Sequence, residues 1–315
     1  MKNALVLLLA ILLLLSVLLS GCAESQSSPE SQQATEEEAF DPYGAENRYD
    51  VDKEMFAVQT GVDYGTVVSD LTYPSTVAGD DKRCCVLLPA GYDESKTYPV
   101  MYVAHTFGGS PDELIAEKSY LTVLYGNMLH SGLAVPMIIV AFDLYTGPAA
   151  EKDGKTGAEL RESYNKVIEE IHADLMPFIE KRFPVSTARE DTAVAGTSEG
   201  AVKALCIGFT WPEEFGWIGS FSPVAGVIPS EFEKYTMWNE PAMEDFPQLA
   251  EEEAPCYVYL AVGSEDSGST GPTLFYGDVL TECGIRNQTD LVDGFDHTVR
   301  FWKRCFYNFL AKAFQ

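Results

Sequence analysis

The stretch "VAGTSEGAVKAL", residues 194–205, sets a serine between two glycines, directly after an apolar run and directly before a helical pattern. Either Ser198 sits on a sharp strand-to-helix turn with its hydroxyl poised to react, or it is an ordinary N-cap. The flanking segments decide between them. "DTAVAGT" (191–197) reads as a short buried strand, and "EGAVKALCIGFTW" (199–211) as a helix. Gly196 and Gly200 remove the side chains that would clash in so tight a turn. A serine placed there projects its hydroxyl above the carboxyl end of a strand, beside the N–H groups of a helix N-terminus.

The same alternation extends outward from this turn. "YGTVVSDLTYPST" (64–76) and "RCCVLLPAGY" (83–92) read as strands separated by a turn at "AGDD" (78–81). "YPVMYVAH" (98–105), "VPMIIVAFD" (135–143), "FGWIGSFSP" (215–223) and "CYVYLAVG" (256–263) are further apolar strands. Helical patterns fall over 120–132, 158–183 and 297–314. The second of these is predicted as one long helix, with Ile168, Ile171, Leu175, Ile179 and Phe183 at helical spacing. Apolar strands alternating with helices predict an α/β fold, a mainly parallel central sheet covered by helices on both faces. The stretch 224–255 is too long for a plain connection. It carries Tyr235, Met237 and Trp238, flat or apolar side chains suited to lining an acyl pocket or stacking on a sugar.

Ahead of this domain, "MKN" is followed by the apolar run "ALVLLLAILLLLSVLLS", which reads as a secretory signal. The run ends in "LLSGC" and resembles the bacterial lipobox, which predicts a signal peptide over 1–21 and lipidation of Cys22. The protein would then face outward, tethered to the membrane surface without a spanning helix. Residues 22–58 are rich in Ser, Gln, Glu, Asp and Ala and are expected to form a flexible acidic stalk before a domain over 59–315. The net charge of −27 argues against nucleic acid as a partner. Six cysteines remain beyond Cys22. Cys84 and Cys85 are adjacent in a strand and point to opposite faces, while Cys206 and Cys305 fall in apolar helical patterns as buried thiols. No paired CxxC or HExxH spacing occurs, so neither a metal site nor a cofactor is indicated.

A serine nucleophile needs a base, and the chain has four histidines. His172 falls in a charged mid-helix stretch and His130 near a helix end. His105 closes a strand, where a structural role suits it. His297 precedes the final helix and follows Ser198 in the order Ser…Asp/Glu…His, which makes it the base. The orienting acid is expected between them, in "YLAVGSEDSGST" just beyond a strand end. Asp266 is the first choice and Glu265 the second, while Asp296 is too close to His297 in sequence to face it. One oxyanion donor is expected from the Glu199 N–H and another from the loop "HTFGGS", where Gly108 and Gly109 permit close backbone approach.

Taken together, "LLPAGYDESKTYPVMYVAHTFGG", "FPVSTAREDTAVAGTSEGAVKALCIGFTWPEEFGWIGSFSP", "GSEDSG" and "GFDHTVRFWKRCFYNFL" resemble the esterase D / feruloyl esterase-like branch of the α/β-hydrolases. The likeness covers most of 60–315. It implies Ser198, Asp266 and His297 as a triad, and the Phe107 and Glu199 amides as the oxyanion hole. It also implies a serine carboxylesterase that removes feruloyl or acetyl groups from plant cell-wall polysaccharide. Thr106 stands where the family usually has glycine, and Glu199 where it usually has a neutral residue.

Overall fold

The structure, a computed structural model, describes residues 40–232 and 241–315. One eight-stranded sheet organises them, in the order β1-β2-β4-β3-β5-β6-β7-β8. The strands are β1 (Thr66–Ser75), β2 (Asp80–Leu88), β3 (Val100–Ala104), β4 (Ile138–Phe142), β5 (Thr192–Thr197), β6 (Trp217–Phe221), β7 (Tyr257–Gly263) and β8 (Gln288–Val292). β1 and β2 form an antiparallel hairpin, β2 is antiparallel to β4, and the rest of the sheet is parallel. The turn of the hairpin, at 76–79, lies two residues earlier than "AGDD". Asp80 and Asp81 already pair with Ser75 and Pro74.

The helices are α1 (Pro111–Leu114), α2 (Tyr120–His130), α3 (Gly157–Asn165), α4 (Val167–Glu170), α5 (Met176–Arg182), α6 (Glu199–Thr210), α7 (Thr270–Glu282) and α8 (Val299–Leu310). Strand alternation splits the core into two layers. Tyr102, Val140, Val194 and Leu260 point to one face, where side chains of α3 to α7 cover them. Met101, Ile139, Ala195 and Tyr259 point to the other, beneath α2 and α8. Cys84 and Cys85 divide between the two layers, and all six described cysteines are free thiols.

The helix expected over 158–183 forms, its backbone helical through Lys166 and each later junction, but it is irregular. α3 starts at a capping box in which Thr156 and Glu159 exchange hydrogen bonds, and the chain then passes through α4, a π-turn at Ile171–Leu175 and α5. Pro177 accounts for the π-turn: its ring has no N–H and crowds the carbonyl one turn back, so the backbone widens just before it.

The stalk boundary also moves. The compact unit begins at Phe40, not at residue 59. Tyr43 OH accepts from Val258 N (2.9 Å) and donates to Arg286 O (2.7 Å), while Tyr49 OH bonds Asp290 Oδ2 (2.6 Å). Asn127 Nδ2 donates to the carbonyls of Met55 (3.0 Å) and Ala57 (2.9 Å). A few aromatics seat this arm on β7, β8 and α2, although its average composition is that of a linker. Among the described residues, no helix is long and apolar enough to cross a membrane.

Candidate active site

β5 ends at Thr197, and Ser198 turns the chain into α6 with φ 57° and ψ −119°. Such a backbone is costly for a residue with a Cβ and persists only where the surroundings impose it. Here the Ser198 N–H donates to Phe221 O at the end of β6 (2.9 Å). The two glycines are steric requirements. A Cβ on Gly196 would lie 2.2 Å from Gly200 O, and one on Gly200 would lie 2.3 Å from Ala104 O and 2.5 Å from His105 O. The turn brings three backbones together, which leaves no room for alanine at either position.

His297 lies in the loop between β8 and α8, and its Nε2 is 2.9 Å from Ser198 Oγ. Its Nδ1 is 2.7 Å from Oδ2 of Asp266, a carboxylate in the loop after β7 that is 3% exposed. An ionised carboxylate only accepts, so Nδ1 carries the proton and Nε2 is left to receive one from Ser198. Asp266 Oδ1 accepts from Ser269 N (3.1 Å). Glu265 is exposed, and Asp296 accepts from Thr298 Oγ1 (2.8 Å), so neither reaches the imidazole.

Two serines that sequence reasoning did not single out complete this arrangement. Ser269 is fully buried, with its Oγ 3.3 Å from His297 Nδ1 while donating to Ser222 O (3.0 Å). Ser222, at the end of β6, also has a positive φ (55°), and its Oγ accepts from Trp302 Nε1 (3.2 Å). The Trp302 ring stands edge-on to His297, with centroids 5.1 Å apart. The imidazole is thus held through its proton and by its contact with the Trp302 ring.

The Glu199 amide is the first N–H of α6, one of the donors that a helix cannot satisfy internally. Its carboxylate turns into a buried ion cluster: Arg161 Nη2 lies 3.1 Å away and Lys203 Nζ 3.0 Å, all three side chains being at most 5% exposed. Arg161 also donates to Ala225 O, which ties the start of the 224–255 stretch to α6. The acid at 199 is therefore neutralised by two cations. On the other side, His105 is buried, and its Nδ1 donates to Thr106 O (2.7 Å), which also accepts from Gly109 N (3.0 Å). Gly108 takes the positive φ in this loop (71°), whereas Thr106 does not, so a residue with a Cβ is tolerated at 106. Phe107 is 37% exposed and packs its ring on Tyr164.

Asp143 backs this loop, with Oδ1 3.4 Å from His105 Nε2 and Oδ2 3.3 Å from Lys152 Nζ. Burial pushes its pKa up, but His105, Lys152 and the Tyr145 N–H together hold it below the usual carboxylate range. A cavity of about 350 Å³ opens beside the turn, lined by Thr106, Glu113, Tyr120, Thr197, Val299 and Trp302 among others. His172 stacks on Trp211 and pairs with Glu214, and His130 ends α2. Tyr235, Met237, Trp238 and Cys22 lie outside the described residues.

Comparison with known proteins agrees with this architecture. The model of the Esterase family, described as "Putative esterase", matches residues 75–278, and the chain belongs to that family. An endo-1,4-beta-xylanase/feruloyl esterase of Xylanibacter ruminicola is 22% identical over 269 residues, 84% of this chain. The match covers only 33% of that relative, so the chain spans about a third of its length. A CE1 ferulic acid esterase of Anaeromyces mucronatus is 29% identical, with a TM-score of 0.74 over 85% of this chain and 98% of the other. A feruloyl esterase module of Clostridium thermocellum, 15% identical, covers 84% of this chain and 93% of its own with a TM-score of 0.60, a likeness of fold. The fold is that of the α/β-hydrolases.

Proposed function

We propose that this member of the esterase family is an outward-facing, lipid-anchored serine carboxylesterase that releases feruloyl or acetyl groups from plant cell-wall polysaccharide. One observation carries the reading: His297 bonds Ser198 through one ring nitrogen and buried Asp266 through the other. Ser198 Oγ attacks the ester carbonyl while His297 Nε2 takes its proton. The oxyanion is received by the Glu199 and Phe107 amides, and His297 then protonates the departing alcohol. Water then attacks the acyl carbon as His297 takes its proton, and His297 returns that proton to Ser198 Oγ as the acyl–Oγ bond breaks and the acid leaves. Asp266 stays ionised throughout and stabilises the imidazolium. The relatives named for ferulate support the acyl class, and "LLSGC" supports the anchor.

The test is hydrolysis of a feruloyl and an acetyl sugar ester side by side, with Ser198→Ala as control. Turnover that vanishes in the variant while its melting temperature is kept is the expected result. Wild-type-like turnover in Ser198→Ala would sink the serine mechanism. The anchor is tested separately: the Cys22→Ala protein should lose the lipid-modified N-terminus seen by mass spectrometry in the wild type.

A further inference from the structure

The final helix carries an unmatched cluster of positive charge in a protein with 21 basic and 48 acidic residues. Arg300, Lys303 and Arg304 fall within five positions of α8, immediately after His297. At 100° per residue, Lys303 stands roughly 40° around the helix from Val299, Arg300 about 100° and Arg304 about 140°. Val299 and Trp302 line the cavity beside Thr197. Trp302 stands about 60° to the other side of Val299, so Lys303 is the cation next to the cavity-lining face, while Arg300 and Arg304 lie further round the helix.

Aromatic rings hold this cluster in place without neutralising it. The Arg300 guanidinium lies over the Phe295 ring at 4.7 Å, and that of Arg304 lies 5.4 Å from Phe295 and 5.0 Å from Phe56. Arg304 donates to the carbonyls of Tyr49 and Arg300, both at 2.7 Å. Among the described residues, none of the three cations makes an ion pair. The nearby acids in sequence are engaged elsewhere: Asp293 accepts from Ser264 Oγ (3.2 Å) and Asp296 from Thr298 Oγ1. Partial burial, followed by the neighbouring Arg304, pushes the Lys303 pKa down, and burial followed by Arg300 does the same to Arg304. The cations repel one another, and a bound anion would relieve that repulsion.

We propose that Arg300, Lys303 and Arg304 form a subsite for a carboxylate on the substrate, a uronic acid unit close to the esterified sugar. The proposal rests on the esterase reading above. A guanidinium fork suits a planar carboxylate. The net charge of −27 disfavours polyanions such as nucleic acid, so the proposal is confined to a single carboxylate on an otherwise neutral oligosaccharide.

The experiment compares kcat/KM on a feruloylated neutral oligosaccharide and on the same oligosaccharide bearing one uronic acid, at low and high NaCl. Wild type should prefer the acidic substrate about fivefold at low salt, the equivalent of one exposed ion pair. Salt should shrink that ratio, and Arg300→Gln combined with Lys303→Gln should bring it close to unity. A ratio that is the same in wild type and the double variant would overturn the subsite. Should wild type cleave both esters equally, the subsite alone falls, and should it cleave neither, the esterase reading falls with it. Binding of phosphatidylglycerol vesicles through the same residues, with no uronate preference, would overturn the proposal in favour of a lipid surface.

Discussion

Ser198 and Ser222 end neighbouring strands and share a positive φ, 57° and 55°, yet only the first is marked in the sequence. At Ser198 the strain is imposed by crowding. The backbones of β3, β5 and α6 approach so closely that 196 and 200 must be glycine, and two glycines around a serine form a visible pattern. Ser222 is held by long-range hydrogen bonds instead. Its N–H donates to Ala261 O (2.8 Å), its carbonyl accepts from Ser269, and its hydroxyl accepts from Trp302. None of these partners forces a small residue beside it. A strained turn is legible when neighbouring backbone excludes side chains, and silent when distant donors hold it.

The comparison breaks first at the triad. Asp266→Asn should lower kcat by about 10³-fold or more, because the amide leaves His297 in the wrong tautomer for accepting the Ser198 proton. Glu265→Gln, on an exposed side chain, should stay within about threefold. Reversed effects in steady-state kinetics would hand the orienting role to Glu265.

Crowding is tested next, at Gly200. An alanine there must displace the carbonyls of Ala104 and His105, which belong to β3 and its following loop, and cannot be absorbed by a side-chain rotation. The expected cost is about 3 kcal/mol of stability, read by thermal or denaturant melting, with turnover falling alongside. An unperturbed Gly200→Ala protein would remove crowding as the reason for the GxSxG pattern.

Ser222→Ala should do less. It keeps the strained φ but takes the acceptor from Trp302 Nε1, leaving a buried donor unmet at about 1–2 kcal/mol. If Trp302 also aligns the imidazole it stands against, kcat drops by less than about tenfold while KM holds. A loss of turnover as deep as that of Asp266→Asn would place Ser222 on a par with the triad and erase the distinction between the two turns.

The same physical division explains what else could be read from sequence. Ser198, Asp266 and His297 were legible because strand ends and chain order put them on one edge of the sheet, as did the parallel strands with continuous apolar runs. β8 was not, since "QTDLV" is short, polar and at the sheet edge. α7 opens on "TGP", which argues against a helix locally although the core beneath Tyr276 and Leu280 stabilises one. The arm over 40–58 was hidden because Tyr43 and Tyr49 act through contacts more than 200 residues away. The burial of the Glu199 carboxylate likewise depends on Arg161, which lies 38 residues earlier.

Asp143 gives the smallest effect and a sharp sign. It stabilises the loop that ends at Gly109 by facing His105 and Lys152, much as Asp266 faces His297, but without touching the reacting atoms. Its folded pKa lies below that of an unfolded aspartate, near 4. The stability it contributes is therefore fully present above about pH 4 and is lost as pH falls through the depressed folded value. Asp143→Asn should cost about 1 kcal/mol at neutral pH, because the side chain is partly open to solvent. The gap between the wild-type and variant melting temperatures should stay level from about pH 5 upward and close below about pH 4. A gap that widens on acidification would mean that Asp143 is protonated in the folded protein. His105 and the loop through Gly109 would then be held by its hydrogen bonds alone.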